Sequence, residues 1–268
     1  MAKRSIGIFD SGVGGLSVLQ EVVKVLPNED LVYFADSARC PYGTKSMDTV
    51  YEYSKQICHF LLKEHNVKKI IIACNTATIA SVVRLKDDFD IPIIGVPDFG
   101  VEQALEDTKN NKVGLLATDA TVKSAYYQNN LIKANPNIQV VAQGCPNFVL
   151  DVEAGKFNGE EVQSHIKEYT DGMVKAGVDT IILGCTHFPF LDQAIKEVVG
   201  PDIKIVDPAN KTVAFLQKYL DENDLVNSKH PRSIKFYSSA KDNSTLKLLV
   251  KGILNEDVEV ETIDIDKY

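Results

Sequence analysis

The chain has 268 residues, 44% of them hydrophobic and 25% charged, enough for a sizeable buried core in one large domain or two moderate ones. Its 29 basic and 37 acidic residues leave a net charge of −8, which argues against a general nucleic-acid or anionic-membrane surface. No apolar stretch approaches the roughly 20 residues of a membrane helix, and the early charge at Asp10 leaves no room for a signal-peptide core.

In chain order, short β-branched runs alternate with longer amphipathic stretches. Strands are expected at 6–9, 31–34, 70–73, 91–94, 113–116, 138–141, 180–183 and 203–206. They are apolar on both faces, as strands of a parallel sheet covered on both sides must be. Segments 47–64 and 159–175 carry helical spacing. A tail follows, with helices expected at 213–220 and 245–254 and a strand at 233–237. The pattern predicts an α/β fold of two similar doubly wound parallel-sheet domains, with the active site in the cleft between them.

The two-domain reading comes from an internal repeat. Val67-Lys-Lys-Ile-Ile-Ile-Ala-Cys74 resembles Val178-Asp-Thr-Ile-Ile-Leu-Gly-Cys185, with the cysteines 111 residues apart. Asp90–Ile94 matches Asp202–Val206, and Ile6–Ser11 matches Val113–Thr118, in the same order. One domain is expected over 1–97 with 209–268 packing back on it, and the other over 98–208. Pro97–Gly100 and Asp207–Asn210 are the expected crossovers.

Ligands of open parallel sheets sit beyond the carboxyl ends of the strands. Asp10, Cys74 and Cys185 all fall at such ends, which puts one thiol on each wall of the cleft. Asp10-Ser-Gly-Val-Gly-Gly15 is a glycine-rich turn of the kind that lets backbone N–H groups approach an anion. It is neither a dinucleotide fingerprint nor a Walker A sequence. Cys74 and Cys185 each stand where a strand gives way to a helix, followed by Asn75-Thr76 and Thr186-His187. A helix N-terminus favours a thiolate. His187 is placed to orient or protonate a reacting group. Tyr42-Gly43 and the hydroxyls of Thr118 and Thr121 are further polar candidates, and Glu153 reads either as a solvated helix-end charge or as a functional acid.

The five cysteines show no CxxC pair and no zinc spacing with the five histidines, so no metal is expected and the cysteines read as free cytosolic thiols. Cys40, Cys58 and Cys145 read as structural; His59, His65, His165 and His230 read as surface residues. Two thiols on opposite walls suit removal of a proton from one face of a carbon and delivery to the other. A two-base epimerase is therefore the first choice on the residues alone.

At these motifs the chain resembles the cofactor-independent aspartate/glutamate racemase superfamily, and within it the glutamate racemases. The matching stretches are Asp10-Ser-Gly-Val-Gly-Gly-Leu-Ser17, Arg39-Cys-Pro-Tyr-Gly43, Ala73-Cys-Asn-Thr-Ala-Thr78, Cys145-Pro-Asn-Phe-Val149 with Val152-Glu153, and Gly184-Cys-Thr-His-Phe-Pro189. They cover almost the whole chain. The resemblance implies interconversion of L- and D-glutamate without a cofactor, supply of D-glutamate to peptidoglycan, cytoplasmic location and a homodimer. It implies Cys74 and Cys185 as the acid/base pair, Asp10 assisting the first, and Glu153 with His187 assisting the second. It further implies that Asp10, Ser11, Tyr42, Gly43, Asn75, Thr76, Thr118, Thr121, Thr186 and His187 hold the substrate.

The chain departs from the family pattern at Val96–Gly100 and Asp207–Ala209, both at crossovers, so hinge behaviour is where it is expected to differ. It begins directly at the first strand, which implies no activation by a cell-wall precursor through an N-terminal extension. Aspartate racemisation is the near alternative. A Cys185–His187 hydrolase and a binding protein that closes on an acidic amino acid without reacting are the others.

Overall fold

The computed structural model describes residues 4–227 and 232–268. The first half opens β1 (Ile6–Asp10), α1 (Leu16–Val25), β2 (Leu31–Ala35), α2 (Met47–His65), β3 (Lys69–Ile72), α3 (Asn75–Asp88) and β4 (Ile93–Gly95). The second continues through α4 (Pro97–Asp107), β5 (Lys112–Ala117), α5 (Asp119–Ser124), α6 (Tyr126–Ala134), β6 (Gln139–Gly144), α7 (Pro146–Glu153), α8 (Glu160–Ala176), β7 (Thr180–Gly184), α9 (Asp192–Val199) and β8 (Lys204–Val206). The chain then returns through α10 (Pro208–Glu222), β9 (Ile234–Ser238), α11 (Ser244–Leu254) and β10 (Val260–Thr262).

Two all-parallel sheets result. One has the order β10-β9-β2-β1-β3-β4, and the other β6-β5-β7-β8. Within each, four strands joined by helical crossovers have the same spatial order, with β1, β2, β3 and β4 corresponding to β5, β6, β7 and β8. Three of these correspondences, β1 with β5, β3 with β7 and β4 with β8, are the segments the internal repeat pairs. The tail strands β9 and β10 extend the first sheet beyond β2.

Burial explains the arrangement. Every residue of β1, β2, β3 and β7 is buried, so both faces of the central strands need covering. On α1, Leu16, Leu19 and Val22 recur at helical spacing and enter a core that also takes Leu183 and Phe188 from the second half. That shared core holds the halves against each other. The other face of the first sheet packs Val32, Phe34, Ile70 and Ile72 against Ile57, Phe60 and Leu61 of α2. The segment just after α10 is held to the first half where Lys68, buried in an ion pair with Glu29 Oε2 at 2.6 Å, donates to Leu225 O at 2.7 Å.

The structure corrects several boundaries. β4 begins at Ile93 rather than Ile91, because Asp90–Pro92 turn before entering the sheet, and β10 lies in a stretch with no strand expectation. The crossovers at Pro97 and Pro208 are helix starts, with proline in the first turn where its missing N–H costs nothing.

At the second crossover, Asp207 caps α10 by accepting from Ala209 N at 2.9 Å. Burial pushes its carboxyl up to about 6, and the charges of Asp192 and Glu21 add to the shift. The folded state therefore disfavours the charged form. That cost is fully present above about pH 6 and disappears as pH falls towards the ordinary carboxylate range. Asp207→Asn keeps an accepting oxygen and removes the charge. It is expected to stabilise the fold at pH 8 by about 1–2 kcal/mol, discounted for the side Asp207 turns to a surface hollow. The gain should shrink to nothing near pH 4, as read from urea midpoints of both proteins at each pH.

Candidate active site

The site is built from the ends of β1, β3, β5 and β7 and the turns that follow them. Cys74 is the N-cap of α3, its sulfur accepting from Ala77 N at 3.4 Å, and Ser11 Oγ lies 3.8 Å from the same sulfur. Cys185 follows β7, with its sulfur 3.6 Å from His187 Nδ1. Each cysteine is 6% exposed, so both turn only a small face to the cavity they share. That cavity is lined by Ser11, Tyr42, Gly43 and Asn75 together with Thr76, Thr118, Thr186 and His187. Its free space is only about 10 Å3, room for about one water. An amino-acid ligand needs the two walls to part.

Asp10, fully buried, is held by Gly12 N at 3.0 Å on one oxygen and Thr186 Oγ1 at 3.0 Å on the other. Burial raises its carboxyl, while the nearby His187 charge and these two bonds work in the opposite direction. Opposite it, His187 Nε2 donates to Glu153 Oε1 at 2.7 Å, and Val13 N donates to the same oxygen at 3.2 Å. Burial alone would lower the His187 imidazole, but its bonds to Cys185 and Glu153 overcome this and hold it well above the ordinary range. Glu153 is lowered in return: burial raises it, and the His187 bond and charge more than offset that. Burial pushes the Cys74 thiol up, and the Asp10 charge adds to it.

The glycine-rich turn permits this closeness. A Cβ at position 14 would lie 2.5 Å from His187 Nδ1, and one at position 12 would lie 2.3 Å from Glu153 Oε1. Only residues without a side chain let the first half's backbone cover the His187–Glu153 pair. Across the same cleft, Thr76 Oγ1 meets Thr118 Oγ1 at 2.9 Å and Thr121 Oγ1 at 3.2 Å. Thr118 is also the N-cap of α5.

All thirteen residues singled out in the sequence thus gather at one cleft, although Thr121 stands behind Thr118 rather than on the cavity surface, and Asp10 and Glu153 reach it through Thr186 and His187. Sequence reasoning missed several residues around them. Tyr127 OH donates to Asn75 Oδ1 at 2.6 Å across the cleft. Asp36, fully buried just after β2, accepts from Tyr42 OH and from Arg39 Nε at 2.8 Å, fixing the loop that carries Gly43. A buried acid at the end of an apolar strand is the signal that marked Asp10, and Asp36 carries it too. Cys40, read as structural, has its sulfur 3.6 Å from Glu153 Oε1.

The remaining cysteines Cys58 and Cys145 are buried, with burial raising both thiols. His59 is exposed. His65 and His165 are less superficial than expected: His65 packs on Phe60 and Tyr237, and His165 bonds Asp151 at 2.8 Å. His230 lies outside the described residues.

Residues 6–216 match the family model described as Asp/Glu/Hydantoin racemase. The chain belongs to the Asp/Glu/hydantoin racemase family. Within that racemase family, it is 38% identical over 267 residues to a glutamate racemase from Latilactobacillus sakei, covering 100% of this chain and 97% of the relative. A glutamate racemase from Geobacter metallireducens is 41% identical over 84% of this chain and 83% of its own. The fold matches the crystal structure of a glutamate racemase from Francisella tularensis in complex with D-glutamate, with TM-score 0.90, 36% identity and all of both chains covered. An aspartate racemase homologue from Pyrococcus horikoshii, at 16% identity and TM-score 0.57 over 81% of this chain and 99% of its own, shares the fold.

Proposed function

We propose that the protein interconverts L- and D-glutamate by moving the α-proton between two thiols. The observation that carries this reading is the placement of Cys74 and Cys185 after corresponding strands of two similar halves, both facing one narrow cavity. An α-proton is weakly acidic, so its removal needs a strong base in a dry site that stabilises carbanion character. The burial that raises the Cys74 thiol makes its thiolate a stronger base. Asp10 supports that side, and the His187–Glu153 pair stands behind Cys185 to take or return its proton. This route uses side chains of the chain itself and needs no cofactor.

Among the described residues, no lysine or arginine lines the cavity. A dicarboxylate would be held by neutral donors: the Ser11, Thr76, Thr118 and Thr186 hydroxyls, the Asn75 amide, backbone N–H groups near Gly43 and the start of α3. Such donors suit a site that must accept both mirror images. Family membership supports, in addition, a homodimer that works in the cytoplasm and supplies D-glutamate for peptidoglycan. We read 1–97 with 209–268 and 98–208 as the two domains whose separation admits substrate.

Circular-dichroism polarimetry with L-glutamate and, separately, L-aspartate tests the reading. Decay of the glutamate signal alone is the expected result. Decay of aspartate in preference would shift the substrate, and a reduced, folded protein that leaves both unchanged would sink the reading.

A further inference from the structure

Three side chains outside any sequence motif for metal converge behind the Cys185 wall. Cys40 comes from the loop after β2 in the first half. Glu153 ends α7, and His187 follows β7, both in the second half. Cys40 Sγ, a Glu153 carboxylate oxygen and a His187 ring nitrogen all lie within 4.8 Å of one another. The thiol is 3.6 Å from Glu153 Oε1, and His187 Nε2 is 2.7 Å from the same oxygen.

We infer that Cys40, Glu153 and His187 form an inhibitory binding site for a zinc-class divalent cation, one that closes the enzyme across its cleft. The donor set is the argument for the metal class. Thiolate, imidazole and carboxylate together select zinc-like ions over magnesium or calcium, which need oxygen ligands. Three protein ligands leave a fourth position for water. Geometry agrees: around a tetrahedral zinc, sulfur and oxygen ligands stand roughly 3.5 Å apart, and nitrogen and oxygen roughly 3.3 Å. The Cys40–Glu153 distance already fits. The His187–Glu153 distance must open by about 0.6 Å, which happens when the metal replaces the proton between them.

Binding has a defined proton balance. The Cys40 thiol loses its proton, and the His187 imidazolium loses the one on Nε2, keeping Nδ1–H towards Cys185. Two protons go to solvent, and the metal forms bonds to sulfur, nitrogen and oxygen. Because binding releases protons, occupancy should strengthen as pH rises. Two consequences oppose catalysis. His187 no longer exchanges a proton with Cys185, and a bond between the halves prevents the cavity of about 10 Å3 from opening.

The inhibitory part rests on the racemase reading; binding itself does not. Cobalt(II), added to chelator-treated full-length protein, should produce thiolate-to-cobalt charge-transfer absorption, and zinc should displace it. Cys40→Ser and Cys40→Ala should keep racemisation in chelator, lose that absorption, and require about 100-fold more zinc for half-inhibition. Cobalt absorption and zinc inhibition unchanged in both variants would overturn the site, placing the metal on Cys74 or Cys185 instead. Absorption lost with zinc inhibition unchanged would overturn its inhibitory role. If wild type shows cobalt binding but no racemisation, the site stands and the functional reading falls.

Discussion

Replacing either Cys74 or Cys185 with alanine is expected to abolish racemisation while leaving one-sided proton exchange. The thiols sit on opposite walls, so each reaches the α-carbon from one face. With one removed, the other still takes the α-proton from the enantiomer that presents it, but the proton can return only to the same face. Racemisation should fall by about 10³-fold or more, as expected for the loss of a positioned acid or base. In D2O, each variant should still wash deuterium into one enantiomer, and the two variants should prefer opposite ones. Polarimetry and proton NMR on the same samples read both quantities. Racemisation intact in Cys74→Ala but lost in Cys185→Ala would point to Cys185–His187 chemistry alone and refute the two-thiol mechanism.

The second large effect is at the His187–Glu153 pair. Glu153→Gln removes the carboxylate that His187 Nε2 holds at 2.7 Å, one of the contacts that keep the imidazole well above its ordinary range. The sign follows directly. A raised imidazole stays charged to higher pH and loses its proton only as pH climbs through the raised value. Without Glu153 that point moves down, so the alkaline limb of the rate profile should shift towards neutrality. His187→Asn should abolish that limb and lower kcat by about 10²-fold. The loss should be greater in the reaction direction that starts at Cys185. Rates from both enantiomers across pH measure this, and equal losses in both directions with an unmoved alkaline limb would remove the pair from the proton path.

Much of this molecule was legible in its residues. Buried β-branched runs ending in Asp10, Cys74 and Cys185 require covered parallel strands with polar groups at their carboxyl ends. The Cys74–Cys185 repeat predicts two similar halves because equal apolar patterns fold into equal βα units. The same logic found Thr118, which caps α5 as Cys74 caps α3.

What tertiary structure decided lies in contacts between segments distant in sequence. Glu153 reads ambiguously alone, and only the approach of His187, 34 residues away, makes it a partner rather than a solvated charge. Tyr127 has no local feature that sends it to Asn75. Cys40 has no local feature that sends it to Glu153 and His187, because spacing detects only partners on one short segment. Its companions Glu153 and His187 lie 113 and 147 residues further on. Local pattern determines strands, helices and what stands at their ends, since those depend on near neighbours. Which ends meet depends on how two sheets pack across a cleft, and that is settled only when the whole chain buries its core.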